Sequence, residues 1–153
     1  MSISRWGPPI WIFLHTLAEK IKNETDFMTI KADLIYFLTQ ICKNLPCPTC
    51  SAHSSLLLKQ LNFQTVNSKD DFKNILFLLH NAVNKSKKKP AFNISELSLQ
   101  YENNKLFDTY NNFIAVFQTK GNMNLLTDSF QRKILINRLN TWLKLNFAKF
   151  IVV

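Results

Sequence analysis

Glycine and proline are scarce in this chain, two and five among 153 residues. So few turn-forming residues argue against a sandwich of many short strands and for a few long helices. Acidic residues are also in short supply, 10 against 19 Lys and Arg, for a net charge of +9. That balance suits an anionic ligand, a nucleic acid or a membrane surface, and by itself chooses none of them. No apolar run reaches the length of a transmembrane helix, so none is predicted. The N-terminus lacks a charged region followed by an apolar stretch and a small-residue cleavage site, which leads us to expect a cytoplasmic rather than a secreted chain. Three cysteines are few, and odd in number, for a disulfide framework, so any disulfide is expected to be catalytic rather than structural. Without secretion, the sequons at Asn23, Asn84 and Asn93 carry little weight.

Apolar residues are plentiful. A hydrophobic fraction of 46%, with 13 Phe and 3 Trp, argues for one packed globular core. Helical spacing recurs in four segments. Trp11, Leu14, His15 and Ala18 predict a helix over about 9–22, with Gly7-Pro8-Pro9 as its start. Ile30, Leu34, Phe37, Leu38 and Ile41 make a second stripe that ends near Pro46. The third helix runs from about Cys47 to Gln60, and the fourth, with Phe72, Leu76, Leu79, His80 and Val83, from about Lys69 to Lys85. The fold class is therefore all-α, a four-helix bundle with a short fifth helix and a helical C-terminal extension. The fifth helix is placed over 95–103 with Ser95 as its cap. The bundle takes in residues 1–102. The extension, 103–153, contains Tyr110 to Phe117 and an amphipathic stretch from Phe130 to Phe150, separated at Gly121-Asn122 and expected to pack on the bundle. A membrane-surface role for this basic tail is the lesser expectation, and no nucleic-acid recognition motif accompanies it.

The chemistry concentrates in Cys47-Pro48-Thr49-Cys50. At a helix start, unpaired N–H groups and the positive helix end stabilise a thiolate, and a two-residue gap lets the sulfurs form a disulfide. The same spacing also binds zinc. Cys47, Cys50 and His53 have ligand-like intervals, and Cys42 or His80 could complete a tetrahedron, so a zinc-binding helical module is the alternative reading. A thioredoxin-like fold suits the pair less well, because helices rather than strands flank it. The chain's three histidines, His15, His53 and His80, lie on or beside apolar faces of three helices, which places a shared pocket next to the dithiol.

Three linked motifs carry a resemblance to the Erv/ALR family of FAD-linked sulfhydryl oxidases. They are Trp6-Gly7-Pro8-x-x-Trp11-x-x-Leu14-His15, Pro46-Cys47-x-x-Cys50-x-x-His53, and His80-Asn81-Ala82-Val83-Asn84-Lys85 followed by Lys89-Pro90-Ala91-Phe92. The compact form is similar to members encoded by large DNA viruses, which implies host cytoplasm or virion as its place. The resemblance implies a thiol oxidase that passes electrons from a substrate dithiol through Cys47 and Cys50 to FAD and then to O2, giving H2O2. It implies that Cys47 meets the substrate and Cys50 faces the flavin. Cofactor-binding residues carried over are Gly7, Trp11, His15, His53, His80, Asn81, Val83, Asn84, Lys85, Lys89 and Phe92, with Lys85 and Lys89 at the pyrophosphate and Tyr101 a weaker match. Lys87 and Lys88 are read as a solvated face. Family members commonly carry a second, shuttle dithiol, for which this sequence has no counterpart. Cys42 is the only spare thiol, expected to be a core residue or an intermolecular contact. Electrons are thus expected from a separate dithiol protein or a thioredoxin-like carrier. The resemblance also implies a homodimer through the first two helices. A helical docking protein that has lost its activity is a third reading.

Overall fold

A computed structural model of the protein describes residues 3–91, 93–118 and 126–152. Among the described residues, regular structure consists of seven α-helices and short 3-10 turns, with a single isolated β-bridge.

Helix α1 spans Ile3–Glu19 and carries Pro8 and Pro9 inside it, so it begins earlier than the start predicted at Pro9. The prolines leave the carbonyls of residues 4 and 5 without their usual helical donors. The helix continues through them because Trp6, Ile10, Phe13, Leu14 and Leu17 share one face and are all buried. It ends short of the predicted Lys22 for an equally local reason. The Lys22 N–H donates to the Lys149 carbonyl at 3.0 Å, and the Ile151 N–H donates to the Lys20 carbonyl at 2.7 Å. These groups bracket the bridge between Ile21 and Phe150 instead of extending the helix.

Helix α2, Glu24–Lys43, starts at Asn23, whose side chain accepts from the Asp26 N–H at 2.8 Å. Its predicted stripe, Ile30, Leu34, Phe37, Leu38 and Ile41, is buried throughout. Helix α3 spans Pro48–Lys59 and α4 spans Lys69–Ser86, close to expectation. In α4, Ser68 caps the Asp71 N–H, and Asp70 and Asp71 complement the positive end of the helix. Helix α5 is the short fifth helix, Leu97–Tyr101, entered through a 3-10 turn Ile94–Glu96. The cap there is not Ser95. The Asn93 side chain accepts from the Ser95 N–H at 3.3 Å, which places Ser95 inside the turn.

The C-terminal part forms α6, Leu106–Phe117, and α7, Leu126–Leu145. The break predicted at Gly121-Asn122 lies outside the described residues. Helix α6 runs along α1, the most extensive helix pairing in the molecule, with Phe13 and Phe113 stacked at 4.8 Å and both wholly buried. Helix α7 lies against α2, where Trp142 packs on Phe37 at 5.3 Å and its Nε1 donates to Asp33 at 2.9 Å. Arg132 is buried and its Nε donates to the Phe117 carbonyl at 2.9 Å, closing the C-terminal end of α6. One continuous core therefore draws on α1, α2, α4, α6 and α7. Helices α1 and α2, through which the resemblance implies a homodimer, here carry α6 and α7 on their flanks.

Candidate active site

Cys47 is the N-cap of α3 and Pro48 is its first helical residue, a position where a missing N–H costs nothing. Cys47 and Cys50 are joined by a disulfide with Cα atoms 5.2 Å apart. The Cys50 N–H is 3.3 Å from the Cys47 Sγ, and the Thr49 hydroxyl lies 3.2 Å from the same sulfur in an exposed setting. When the disulfide is reduced, Cys47 has an amide, a hydroxyl and a helix N-terminus to stabilise its thiolate. The turn is held from behind by the Ser51 hydroxyl, which donates to the Leu45 carbonyl at 3.3 Å. Cys50 points the other way. It lines a small cavity of about 40 Å³ together with Trp6, Gly7, Leu14, Cys42 and Val83.

A second cavity, of about 200 Å³, adjoins the first across α1 and α4, and Gly7, Trp11, Val83 and Lys87 line both. The two are parts of one groove. Its outer part is walled by His80, Asn84, Lys89 and Tyr101. Four rings form a stack beside it. Trp11 lies flat on His80 at 4.2 Å, His80 Nδ1 meets His15 Nε2 at 3.0 Å, and His15 lies flat on Tyr101 at 4.6 Å. One ring nitrogen of that pair donates and the other accepts, so the accepting imidazole is neutral. Burial, and secondarily His80, hold His15 down to about 3. Burial, and then Lys87 and Lys89, hold His80 down to about 4. Burial alone pushes the Cys42 thiol up to about 12, so Cys42 lines the cavity as an unreactive thiol.

The sequence model of the Erv1/Alr family matches residues 8–102, which take in α1 through α5, the disulfide and most of the groove. The chain belongs to the Erv1/Alr family. This is a family of FAD-linked thiol oxidases with a helical-bundle fold. No curated protein and no solved structure matches the chain.

FAD joins a planar ring system to an adenine through two phosphates, and the groove of this Erv1/Alr protein offers matching chemistry along its length. The inner end is apolar and reaches Cys50; the outer end carries Lys89. Gly7 presents no Cβ to either part. Trp6 lines the inner wall, and its Nε1 is buried without a hydrogen-bond partner. A polar ring edge in the groove would satisfy that orphan donor. The chemistry of these residues thus fits the cofactor.

The structure places the candidate residues unequally. Gly7, Trp11, His80, Val83, Asn84 and Lys89 line the groove, His15 backs it, and His53, on the exposed side of α3, lines the Cys50 end. Asn81 and Lys85 instead border a neighbouring depression with Lys88, which meets the groove only at Lys89. Phe92 lies outside the described residues. Trp6, Cys42 and Lys87 are additions to the site. Lys87 does not belong to the solvated face read from the lysine run: it is half-buried and its Nζ lies 5.9 Å from the centre of the Trp6 ring. A signal for it exists in the sequence, since His80, Val83, Asn84 and Lys87 follow the i, i+3, i+4, i+7 spacing of one helix face. Among the described residues, no three His, Cys, Asp or Glu side chains form a metal-binding group. The alternative zinc site of Cys47, Cys50 and His53 with Cys42 or His80 is therefore not assembled.

Proposed function

We propose that this protein is an FAD-dependent thiol oxidase that makes disulfide bonds in other proteins, using Cys47 and Cys50 as its redox centre and O2 as the final acceptor. The observation that carries this reading is the two-sided setting of the disulfide. Cys47 lies at an exposed helix start, and Cys50 lines a groove whose chemistry suits a flavin dinucleotide.

A substrate thiolate attacks the Cys47 Sγ, the bond to Cys50 breaks, and Cys50 departs as a thiolate on the groove side. A second substrate thiolate attacks the sulfur of the first, completing the substrate disulfide and releasing Cys47 as a thiolate. The Cys50 N–H and the Thr49 hydroxyl hold that charge. When bound, FAD supplies the acceptor for the electron pair given up as Cys47 and Cys50 close again, and returns it to O2 as H2O2. Gly7, Trp11, His15, His53, His80, Val83, Asn84 and Lys89 hold the cofactor along the groove, with Asn81 and Lys85 beyond Lys89.

With Cys42 the only other cysteine in the sequence, the electrons come from a separate dithiol protein or a thioredoxin-like carrier. A homodimer has to use surface other than the flanks of α1 and α2 that α6 and α7 occupy.

An absorbance spectrum and an oxygen electrode test the proposal. The purified protein is expected to be yellow, to consume O2 when given a dithiol, and to release peroxide, with turnover falling to background in Cys47→Ala and Cys50→Ala. A colourless protein with bound zinc, or a flavoprotein without dithiol-dependent O2 uptake, would defeat it.

A further inference from the structure

We propose that Lys87 is a positioning residue for the flavin ring: its ammonium group stands at the Cys50 end of the groove and stabilises the negative charge that the ring system acquires on reduction. The inference rests on the oxidase reading and adds to it an electrostatic device specific to this chain's own residues.

Position comes first. Of the lysines between Lys85 and Lys89, Lys87 alone lines both parts of the groove. Lys89 reaches only the outer part, and Lys85 and Lys88 border the separate depression. Cys50 must meet the ring system to pass electrons to it, so the ring belongs at the inner end, where Lys87 is the lysine on the wall. Lys89 is left for the phosphates.

The backbone holds Lys87 there. It is the C-cap of α4, and its N–H lies 3.2 Å from the carbonyls of both Val83 and Asn84. Lys88 then adopts φ 58, the left-handed region that a lysine enters only at a cost, and the Lys89 N–H returns to the Asn84 carbonyl at 2.8 Å. The reversal keeps Lys87 on the groove face of α4 with its Nζ over Trp6.

Charge is the third argument. Among the described residues Lys87 has no carboxylate partner, and its lining neighbours at the inner end are mostly apolar. Burial, and secondarily Lys89, lower its pKa, because both disfavour the cation on that wall. A ring that takes up two electrons and one proton becomes an anion and compensates it. The electrons leave two thiols as they become the Cys47–Cys50 disulfide, and the second proton goes to solvent. A fixed charge beside the ring is a recognised means of tuning flavin electronics.

The full chain loaded with FAD is equilibrated anaerobically with a reference dye, and flavin content is measured in parallel, for Lys87→Met, Lys87→Gln and Lys87→Arg. Met and Gln variants are expected to keep their flavin while the ratio of reduced to oxidised flavin at a fixed dye poise drops about tenfold, equivalent to about 30 mV for two electrons. Arg is expected to restore the ratio. An unchanged ratio in both neutral variants overturns the proposal. Loss of flavin from both, or weaker binding with an unchanged ratio, assigns Lys87 to the phosphates and overturns it too. A wild-type protein that takes up no flavin fails the oxidase reading itself, and that outcome is visible before any substitution is made.

Discussion

The His15–His80 contact joins two groups that ordinarily titrate near neutrality and here lie well below it, His15 down to about 3 and His80 down to about 4. Burial is the main cause for each, and protonating either ring would force two donors against one another or strand a charge among aromatic faces. The sign follows from proton counting. Below 6.5, the ordinary value for both, the unfolded chain binds protons that the folded chain refuses, so folding weakens as acid is added. The melting temperature is therefore expected to hold above about pH 7 and to fall steadily between 6.5 and 4. His15→Gln is expected to lower it at pH 7 and to flatten that slope, which scanning fluorimetry across buffers can check. A slope unchanged in the variant would mean that His15 does not contribute to the acid sensitivity.

Among the helices, legibility tracked punctuation. Helices α3 and α4 begin where Cys47-Pro48 and Ser68 supply a cap or a first-turn proline, close to the starts expected at about Cys47 and Lys69. Helix α1 begins ahead of its prolines and not at them, because the burial of Trp6 outweighs the lost backbone bonds. Ser95 does not cap α5: Asn93 caps the 3-10 turn that leads into it, a choice between two good capping residues that no single-residue rule decides. Lys87 was hidden by composition: inside a run of lysines it reads as solvent-facing, and only the face it shares with His80 and Val83 sets it apart. Pairing between distant helices was not legible at all. Nothing local announces that α6 lies along α1, because the Phe13–Phe113 contact is a matter of ring shape across a long stretch of chain. That contact makes the element-scale prediction. Phe113→Ala is expected to cost about 3–5 kcal/mol in urea unfolding, as for other fully buried rings. A cost below about 1 kcal/mol would mean that α6 is an accessory to the bundle and not part of its core.

At the scale of the whole molecule, the chain closes on itself. Phe150 is almost fully buried, meets Trp142 edge-on at 5.8 Å, and pairs with Ile21 in the turn between α1 and α2. Deleting residues 146–153 removes this clasp and a ring's worth of core. Its expected effect is a melting temperature lower by roughly 10 °C. Below that temperature the truncated protein is expected to match the full chain in a flavin titration, since the groove is built from α1 through α5. Thermal denaturation followed by a flavin titration separates the two effects, and loss of flavin uptake from the folded truncated chain would show that the clasp shapes the groove as well.

The opposed aspects of Cys47 and Cys50 make the disulfide a partition as much as a bond. On the oxidase reading, an electron donor would meet the outer sulfur at its rim of Pro48 and Thr49, both exposed, and would have no need to enter the compartment behind. Clients of unrelated shape can then share one interior chemistry. On the oxidase reading, redesigning that small, uncharged rim is expected to change the clientele while the reaction inside stays the same.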